Sequence, residues 1–394
     1  GLETFRREVG TWIDAHAPAG IYGARTESAY DGYWGGQKSP DPGPDRLKWL
    51  DVMRDKRWVA PSWPSEYGGG GLSPEEAAII KEEIHNRKLP PPLVGIGLMM
   101  LGPVILARGT EAQKREHISR ICDGSVRWCQ GYSEPGAGSD LANVQTKAED
   151  MGDHYLINGQ KIWTSYADKA DWMFCLVRTD PDASKHDGIS FILFDMRSEG
   201  ITVKPILLIS GKSPFCETFL DNVRVPKANL VYERGKGWTV GKRLLQYERS
   251  SIGGIGGGQK TKTLEQYALE YVGQDESGHI DDNFLRSSVL THRMNDTAFG
   301  LTGRRATEES VTGLAPGALS SMFKFYGTEQ NKNKYELLLE ILGVQSLGWE
   351  GSSFSGEEIN TTRAWLRSKA NSIEGGTSEV QLNIIAKRIL GLPD

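Results

Sequence analysis

The chain is poor in the features that mark several large protein classes. It has no dense basic run, and Lys+Arg 46 against Asp+Glu 51 leaves a formal charge of -5, which argues against nucleic acid as a partner. Its most apolar segments, residues 98–106 and 189–196, fall well short of the ~18 apolar residues that a spanning helix needs, so no membrane span is expected. Cys122, Cys129, Cys175 and Cys216 form neither a CxxC pair nor a Cys/His cluster. That spacing predicts no metal and no disulfide framework, but reduced thiols in a cytoplasmic chain. The opening residues begin an amphipathic pattern rather than a charged segment followed by an apolar core, so no signal peptide is expected. Nucleotide fingerprints are missing too. Gly254-Ile255-Gly256-Gly257-Gly258-Gln259 has glutamine in its sixth place and no strand before it, and the glycines of residues 133–140 are not followed by the Lys-Ser/Thr of a phosphate-binding loop. The glycines at 253–258 read as close helix packing or a helix break.

What is present is an ordinary globular composition, 38% hydrophobic over 394 residues, enough for two or three domains or one large composite core. Residues 1–127 read as helical. Leu2, Phe5, Val9, Trp12 and Ile13 recur at helical spacing, as do Leu47, Leu50, Val52 and Met53. Ser73-Pro74-Glu75-Glu76 and Thr110 with Gln113 carry the capping-box pattern of a helix start. Between them, residues 60–71 hold two prolines and four consecutive glycines, a loop that is either disordered or wrapped around a ligand mouth. From residue 128 to 234 the period becomes strand-like. Asn158-Gly159, between Tyr155-Leu156-Ile157 and Gln160-Lys161-Ile162-Trp163, predicts a tight hairpin, and short strands follow at 172–177, 189–196, 201–206 and 215–225. Residues 235–394 are again helical, with long helices at 319–342 and 363–390, which favours a four-helix bundle. The fold class is therefore α+β and multidomain: helical N-terminal domain, middle β-domain, helical-bundle C-terminal domain.

Three polar turns carry the chemistry: Ser133-Glu134-Pro135-Gly136-Ala137-Gly138-Ser139-Asp140, Asn158-Gly159-Gln160-Lys161-Ile162-Trp163-Thr164-Ser165, and Asn371-Ser372-Ile373-Glu374-Gly375-Gly376-Thr377-Ser378-Glu379. Glycines let backbone N–H groups approach a ligand closely, and hydroxyls and amides supply directional hydrogen bonds. Taken alone, the first is equally a connecting turn that satisfies its own backbone, Trp163 is a candidate core residue, and Thr377 a candidate helix cap. In order and spacing, however, the three motifs resemble the acyl-CoA dehydrogenase family of flavoenzymes, and the similarity runs nearly end to end. The wording WCQGYSEPGAGSD, ADWMFCLVRTD and GISFILFDM is similar to large subunits of pimeloyl-CoA-type and steroid-degrading members, some of them heteromeric.

The resemblance implies bound FAD and conversion of an acyl-CoA to its trans-2-enoyl-CoA, with electrons leaving through an electron-transfer flavoprotein. It places Ser133 and Ser139 beside the flavin and the substrate's pantetheine arm. Trp163, Thr164 and Ser165 would lie against the flavin, and Thr377 and Glu379 would reach it from the last helices. Removing an α-proton as hydride leaves the β-carbon requires one carboxylate base and hydrogen-bond donors at the thioester carbonyl. In one branch of the family the base is a Glu directly before Gly-Thr-Ser, where this chain has Gly375. In another it precedes an arginine on a central helix, which matches Glu248-Arg249. Glu248 is thus the expected base, Arg249 a substrate-binding neighbour, Gly375 an N–H donor to the thioester oxygen, and Glu374 the reserve. A solvated ion pair is the bland alternative for Glu248. One departure stands out: the Arg-x-x-Phe-Gly segment common after the base-bearing helix is replaced by Gln274-Asp275-Glu276-Ser277-Gly278-His279-Ile280. This puts a symmetric homotetramer in doubt and makes a partner subunit plausible. A homo-oligomer, a heterotetramer with a second such subunit, a non-catalytic subunit, and a flavin monooxygenase or oxidase on the same scaffold are the competing expectations.

Overall fold

The structure is a computed structural model that describes residues 1–23, 32–253, 262–311 and 319–393, with side chains described for these except 246–253, 307, 310 and 311. By its internal contacts the chain divides into two units, residues 1–206 with 213–247, and residues 207–212 with 248–394.

The first unit opens with helices α1 (Leu2–His16), α2 (Pro44–Asp55) and α3 (Pro74–Asn86). Their apolar stripes close on one another: Val9 and Ile13, Trp49 and Met53, and Ile80 and Ile84 form a single buried cluster. Each such side chain stabilises by roughly 1.5–3 kcal/mol on burial. The expected capping box is formed at α3, where Ser73 Oγ accepts from Glu76 N at 3.2 Å and Glu76 Oε2 from Ser73 N at 2.9 Å. Shorter helices α4 (Gly102–Arg108), α5 (Glu111–Gln113) and α6 (Ser119–Cys122) follow, α5 capped by Thr110 in the same manner. The loop at 60–71 is ordered by its own backbone. Gly70 N donates to Ala60 O, Gly71 N to Trp63 O and Leu72 N to Pro61 O, and a Cβ on Gly69 would lie 2.2 Å from Trp63 O.

Eight strands then build one sheet: β1 (Trp128–Gly131), β2 (Lys147–Asp150), β3 (His154–Ser165), β4 (Trp172–Arg178), β5 (Ile189–Asp195), β6 (Ile201–Ile206), β7 (Phe215–Pro226) and β8 (Leu230–Val231). Their order is β6-β7-β3-β2-β4-β5-β8, with β1 parallel to β4. β4 is buried along its whole length, as a strand covered on both faces must be, and its apolar sequence follows from that. Phe174 and Leu176 join one core cluster, Cys175 and Val177 another. The hairpin expected at Asn158-Gly159 is not formed. β3 runs straight through it because the twelve-residue β7 offers an antiparallel partner for both halves. Extending a ladder satisfies more backbone groups than closing a two-residue turn. Asn158 instead accepts the Asn222 N–H at 2.8 Å, across a break in register.

α7 (Gly237–Gly253) leads to the second unit, which holds α8 (Leu264–Tyr271), α9 (Asn283–Val311), α10 (Leu319–Leu342), α11 (Gly356–Ser368) and α12 (Ser378–Ile384). Leu264, Ala268, Leu285, Val289, Leu338 and Ile341 form its core, and α10 packs against α8, α9 and α11. The single helix expected over 363–390 is divided in two. Gly375 and Gly376 adopt φ values of 65 and 90, a left-handed backbone that no helix continues. The glycine cluster at 254–258 lies outside the described residues.

Candidate active site

In the first unit, Ser133 to Asp140 is a folded turn. Glu134 N donates to Ala137 O and Ala137 N to Glu134 O, both at 3.0 Å, which pinches the turn shut. Its outer glycines are exposed, and a Cβ on Gly136 or Gly138 would meet no described atom within 4 Å. Among the described residues these glycines answer no packing need, in contrast to the clasped Gly69. Ser133 is half-buried and Ser139 exposed, while Asp140 makes a solvent-facing ion pair with Lys185 at 2.7 Å.

Beneath the turn lies a feature that the motifs did not disclose. Lys161 is fully buried, and its Nζ donates to Glu134 Oε1 at 2.8 Å, Tyr132 O at 3.1 Å and Leu176 O at 2.7 Å. An ammonium has three N–H bonds, and all three are used. Glu134 also accepts Thr146 N at 2.9 Å and Gln145 N at 2.6 Å. Burial alone would raise the Glu134 carboxyl; the Lys161 charge and these hydrogen bonds outweigh it and hold the group below the ordinary carboxylate value.

The strand carrying Lys161 then bulges. Ile162 and Trp163 of β3 face one residue of β7, between the pairs Lys161/Thr218 and Thr164/Cys216. A bulge re-aims the side chains beyond it. Trp163 adopts φ 60, strained for a bulky residue, and is 53% exposed, held at one edge by Phe215 with ring centroids 6.2 Å apart. The core reading of Trp163 therefore does not hold. Thr164 points inward, fully buried, its hydroxyl accepting from Thr218 at 3.4 Å, so the members of this triplet with open surface are Trp163 and the half-buried Ser165.

The second unit carries the third motif. Thr377 caps α12, its Oγ1 accepting Val380 N at 3.2 Å, and Glu379 is exposed in the first helical turn. No described residue accepts the Gly375 N–H. Glu374 is tied down on both oxygens: Arg367 donates at 2.6 and 3.3 Å, and Asn371 Nδ2 at 2.6 Å. Both carboxylate oxygens are thus occupied by donors from the protein itself. Below the turn is another fully buried lysine, Lys324 of α10, donating to Asn371 O at 2.9 Å. Desolvation lowers its pKa, against the raising effect of Glu374, Glu329 and Glu379. Glu248 and Arg249 belong to α7, but their side chains lie outside the described residues. Sequence reasoning missed Glu134, Lys161, Lys324 and Arg367; the signal available was a charged residue inside or next to an apolar run, as in Lys161-Ile162-Trp163.

Family models described as the N-terminal, middle and C-terminal domains of acyl-CoA dehydrogenase match residues 42–125, 129–223 and 235–390. Acyl-CoA dehydrogenase IpdE1 of Mycobacterium tuberculosis is 34% identical over 403 residues, covering 100% of this chain and 98% of its own. Acyl-CoA dehydrogenase FadE29 of the same organism is 39% identical over 349 residues, 86% of each chain. Among solved structures, the "Tcur3481-Tcur3483 steroid ACAD" matches with a TM-score of 0.78 and 28% identity, over 100% of this chain and 97% of that one. The ChsE4-ChsE5 complex from Mycobacterium tuberculosis matches with 0.74 and 30%, over 100% and 98%.

Proposed function

The chain belongs to the acyl-CoA dehydrogenase family, and on that footing we propose that it binds FAD and oxidises a bulky acyl-CoA thioester to the trans-2-enoyl-CoA, electrons leaving to an electron-transfer flavoprotein. The family is one of FAD-dependent oxidoreductases that act on the CH–CH group of acyl-CoA. The observation that carries the reading for this chain is the strained, outward Trp163 on the strand anchored to a turn whose glycines lie open. A flat ring needs an aromatic face and closely approachable N–H groups, and these residues fit it.

When bound, FAD supplies the acceptor for the hydride that leaves the β-carbon. The chain supplies the rest. Ser133, Trp163 and Ser165 hold and orient the cofactor, with Thr164 as the buried support behind them, and Thr377 and Glu379 complete its contacts. Ser139 and Arg249 bind the substrate. Glu248 takes the α-proton; the reserve candidate Glu374 is held by Arg367 and Asn371, which supports assigning the base to Glu248. The Gly375 N–H donates to the thioester oxygen, where negative charge grows as the proton leaves. Similarity to structures named for a steroid substrate supports an acyl group larger than butyryl.

We also infer that the chain works beside a second subunit of its own kind. Leu290, Met294 and Leu301 lie at helical spacing on α9 and are 48%, 72% and 57% exposed, an apolar face suited to a helix of a partner. The matches to the two-component ChsE4-ChsE5 complex support a heteromer over a homo-oligomer. Four free, buried cysteines are in keeping with a cytoplasmic setting.

The test is the visible spectrum of the purified protein during anaerobic titration with a panel of acyl-CoA thioesters, repeated on Glu248→Gln. Bleaching by one substrate class that the variant abolishes supports both the reaction and its base. A colourless protein favours the partner-subunit reading, and rapid reoxidation by oxygen favours an oxidase.

A further inference from the structure

Beyond the residues that touch cofactor or substrate, we propose that the buried Lys161–Glu134 pair is the positioning device of the cofactor face, presetting the Ser133–Ala137 turn against the strand that presents Trp163. The proposal rests on the reading of Ser133, Ser139 and Trp163 as flavin-holding residues.

The argument begins with connectivity. Glu134 sits inside the turn, and its backbone closes the turn onto Ala137. Its side chain reaches down to Lys161, two residues before Trp163 in β3. A second link lies alongside: Ile162 N donates to Ser133 O at 2.9 Å. The turn and the bulge are thus fastened to each other at two successive residues, 161 and 162. Lys161 further fixes Tyr132 O, directly before the turn, and Leu176 O in β4. Glu134 does the same for the 145–146 backbone that enters β2. Four segments that are distant in sequence converge on one ion pair.

The energetics point the same way. A buried ion pair is a poor source of stability, because desolvation cancels much of the attraction, and an apolar pair of like volume serves as well or better. What it supplies is geometry, since each N–H and each lone pair has a direction. The outer part of the turn, whose two glycines pack on no described residue, takes its shape from its bonded and buried base at residues 132–137. Without the pair, binding a cofactor would have to meet the cost of ordering the turn.

Two measurements test this. Hydrogen exchange on the wild-type chain freed of FAD should already show protection of the Ala137, Ile162 and Thr146 amides, little changed when FAD is added. Free exchange that slows only on adding FAD overturns the proposal. The second uses Lys161→Met combined with Glu134→Gln, which removes both charges and leaves neither stranded. The double variant is expected to unfold cooperatively near the wild-type temperature, yet to bind FAD about tenfold more weakly and to show an altered visible circular dichroism of the bound flavin. Wild-type affinity and dichroism in that variant overturn the pair's role alone. A wild-type chain that takes up no FAD overturns the flavin reading, and this proposal with it. If the double variant fails to fold, the exchange pattern of the wild type decides.

Discussion

Two glycine-bearing turns, one in each unit, rest on fully buried lysines, and the two lysines are satisfied differently. Lys161 has three acceptors, one of them the Glu134 carboxylate in direct contact. Lys324 bonds the Asn371 carbonyl, and its nearest carboxylates act on it at a distance. The first turn is therefore locked by a compensated charge, whereas the second is positioned by a lysine whose charge burial disfavours. The carboxylates differ in parallel. Glu134 is part of the lock, and Glu374 is bound sideways by Arg367 and Asn371. Each motif glutamate is thus engaged by a specific cation, Lys161 for Glu134 and Arg367 for Glu374.

The largest effect expected from breaking this comparison is on rate. Glu248→Gln should slow flavin reduction by acyl-CoA by at least about 10³-fold, roughly 4 kcal/mol of barrier. Glu374→Gln should stay within about tenfold, because its role is to hold the turn. Anaerobic stopped-flow absorbance separates the two, and equal losses would show that Glu374 takes part in the chemistry.

Next comes the single change Lys161→Met. It strands the Glu134 carboxylate inside the fold and should cost about 3–5 kcal/mol in urea unfolding. A loss under about 1 kcal/mol would mean that water reaches Glu134.

Acid should act on the first unit through His117 before it reaches the Glu134 lock. His117 is buried between Trp128 and Trp172, with ring centroids 5.2 and 5.0 Å away. Desolvation, with Arg120 adding to it, lowers its pKa from 6.5 to about 4. The folded state then binds this proton more weakly than the unfolded chain does. Stability is full above about pH 6.5 and falls as the pH drops toward 4, by about 3 kcal/mol in all. Unfolding free energies measured from pH 7 to pH 4 should follow that curve, and His117→Phe should flatten it.

Lys324→Met should be milder than its counterpart, about 1–2 kcal/mol, since it deprives one buried carbonyl of a partner and strands no contacting charge. A penalty equal to that of Lys161→Met would erase the distinction between the turns. Smallest of all is Asp140→Asn at the rim of the first turn, where the Lys185 pair is solvent-exposed. It should shift stability by less than about 0.5 kcal/mol in the same assay.

Much of the fold was legible in the chain. The helix starts at Ser73 and Thr110 could be read because a capping box is a local pattern of residues three apart. β4 and β5 could be read because strands covered on both faces are apolar along most of their length. Asn158-Gly159 misled for the opposite reason. Its local preference for a hairpin is real, but the choice between turning and continuing belonged to β7, some sixty residues downstream.

Local pattern alone settled the alternation of helical, strand-like and helical segments and singled out the three glycine-bearing motifs, because periodicity and turn chemistry act over a few residues. Only the tertiary structure decided that Trp163 faces outward while Thr164 faces in, since a single bulge exchanges the faces of a strand and depends on the register of its partner. Only the tertiary structure, likewise, placed Lys161 under Glu134 and Arg367 on Glu374. A lone lysine or arginine in a sequence reads as solvated. It becomes a structural ion when folding removes the water around it and brings a carboxylate within hydrogen-bonding reach.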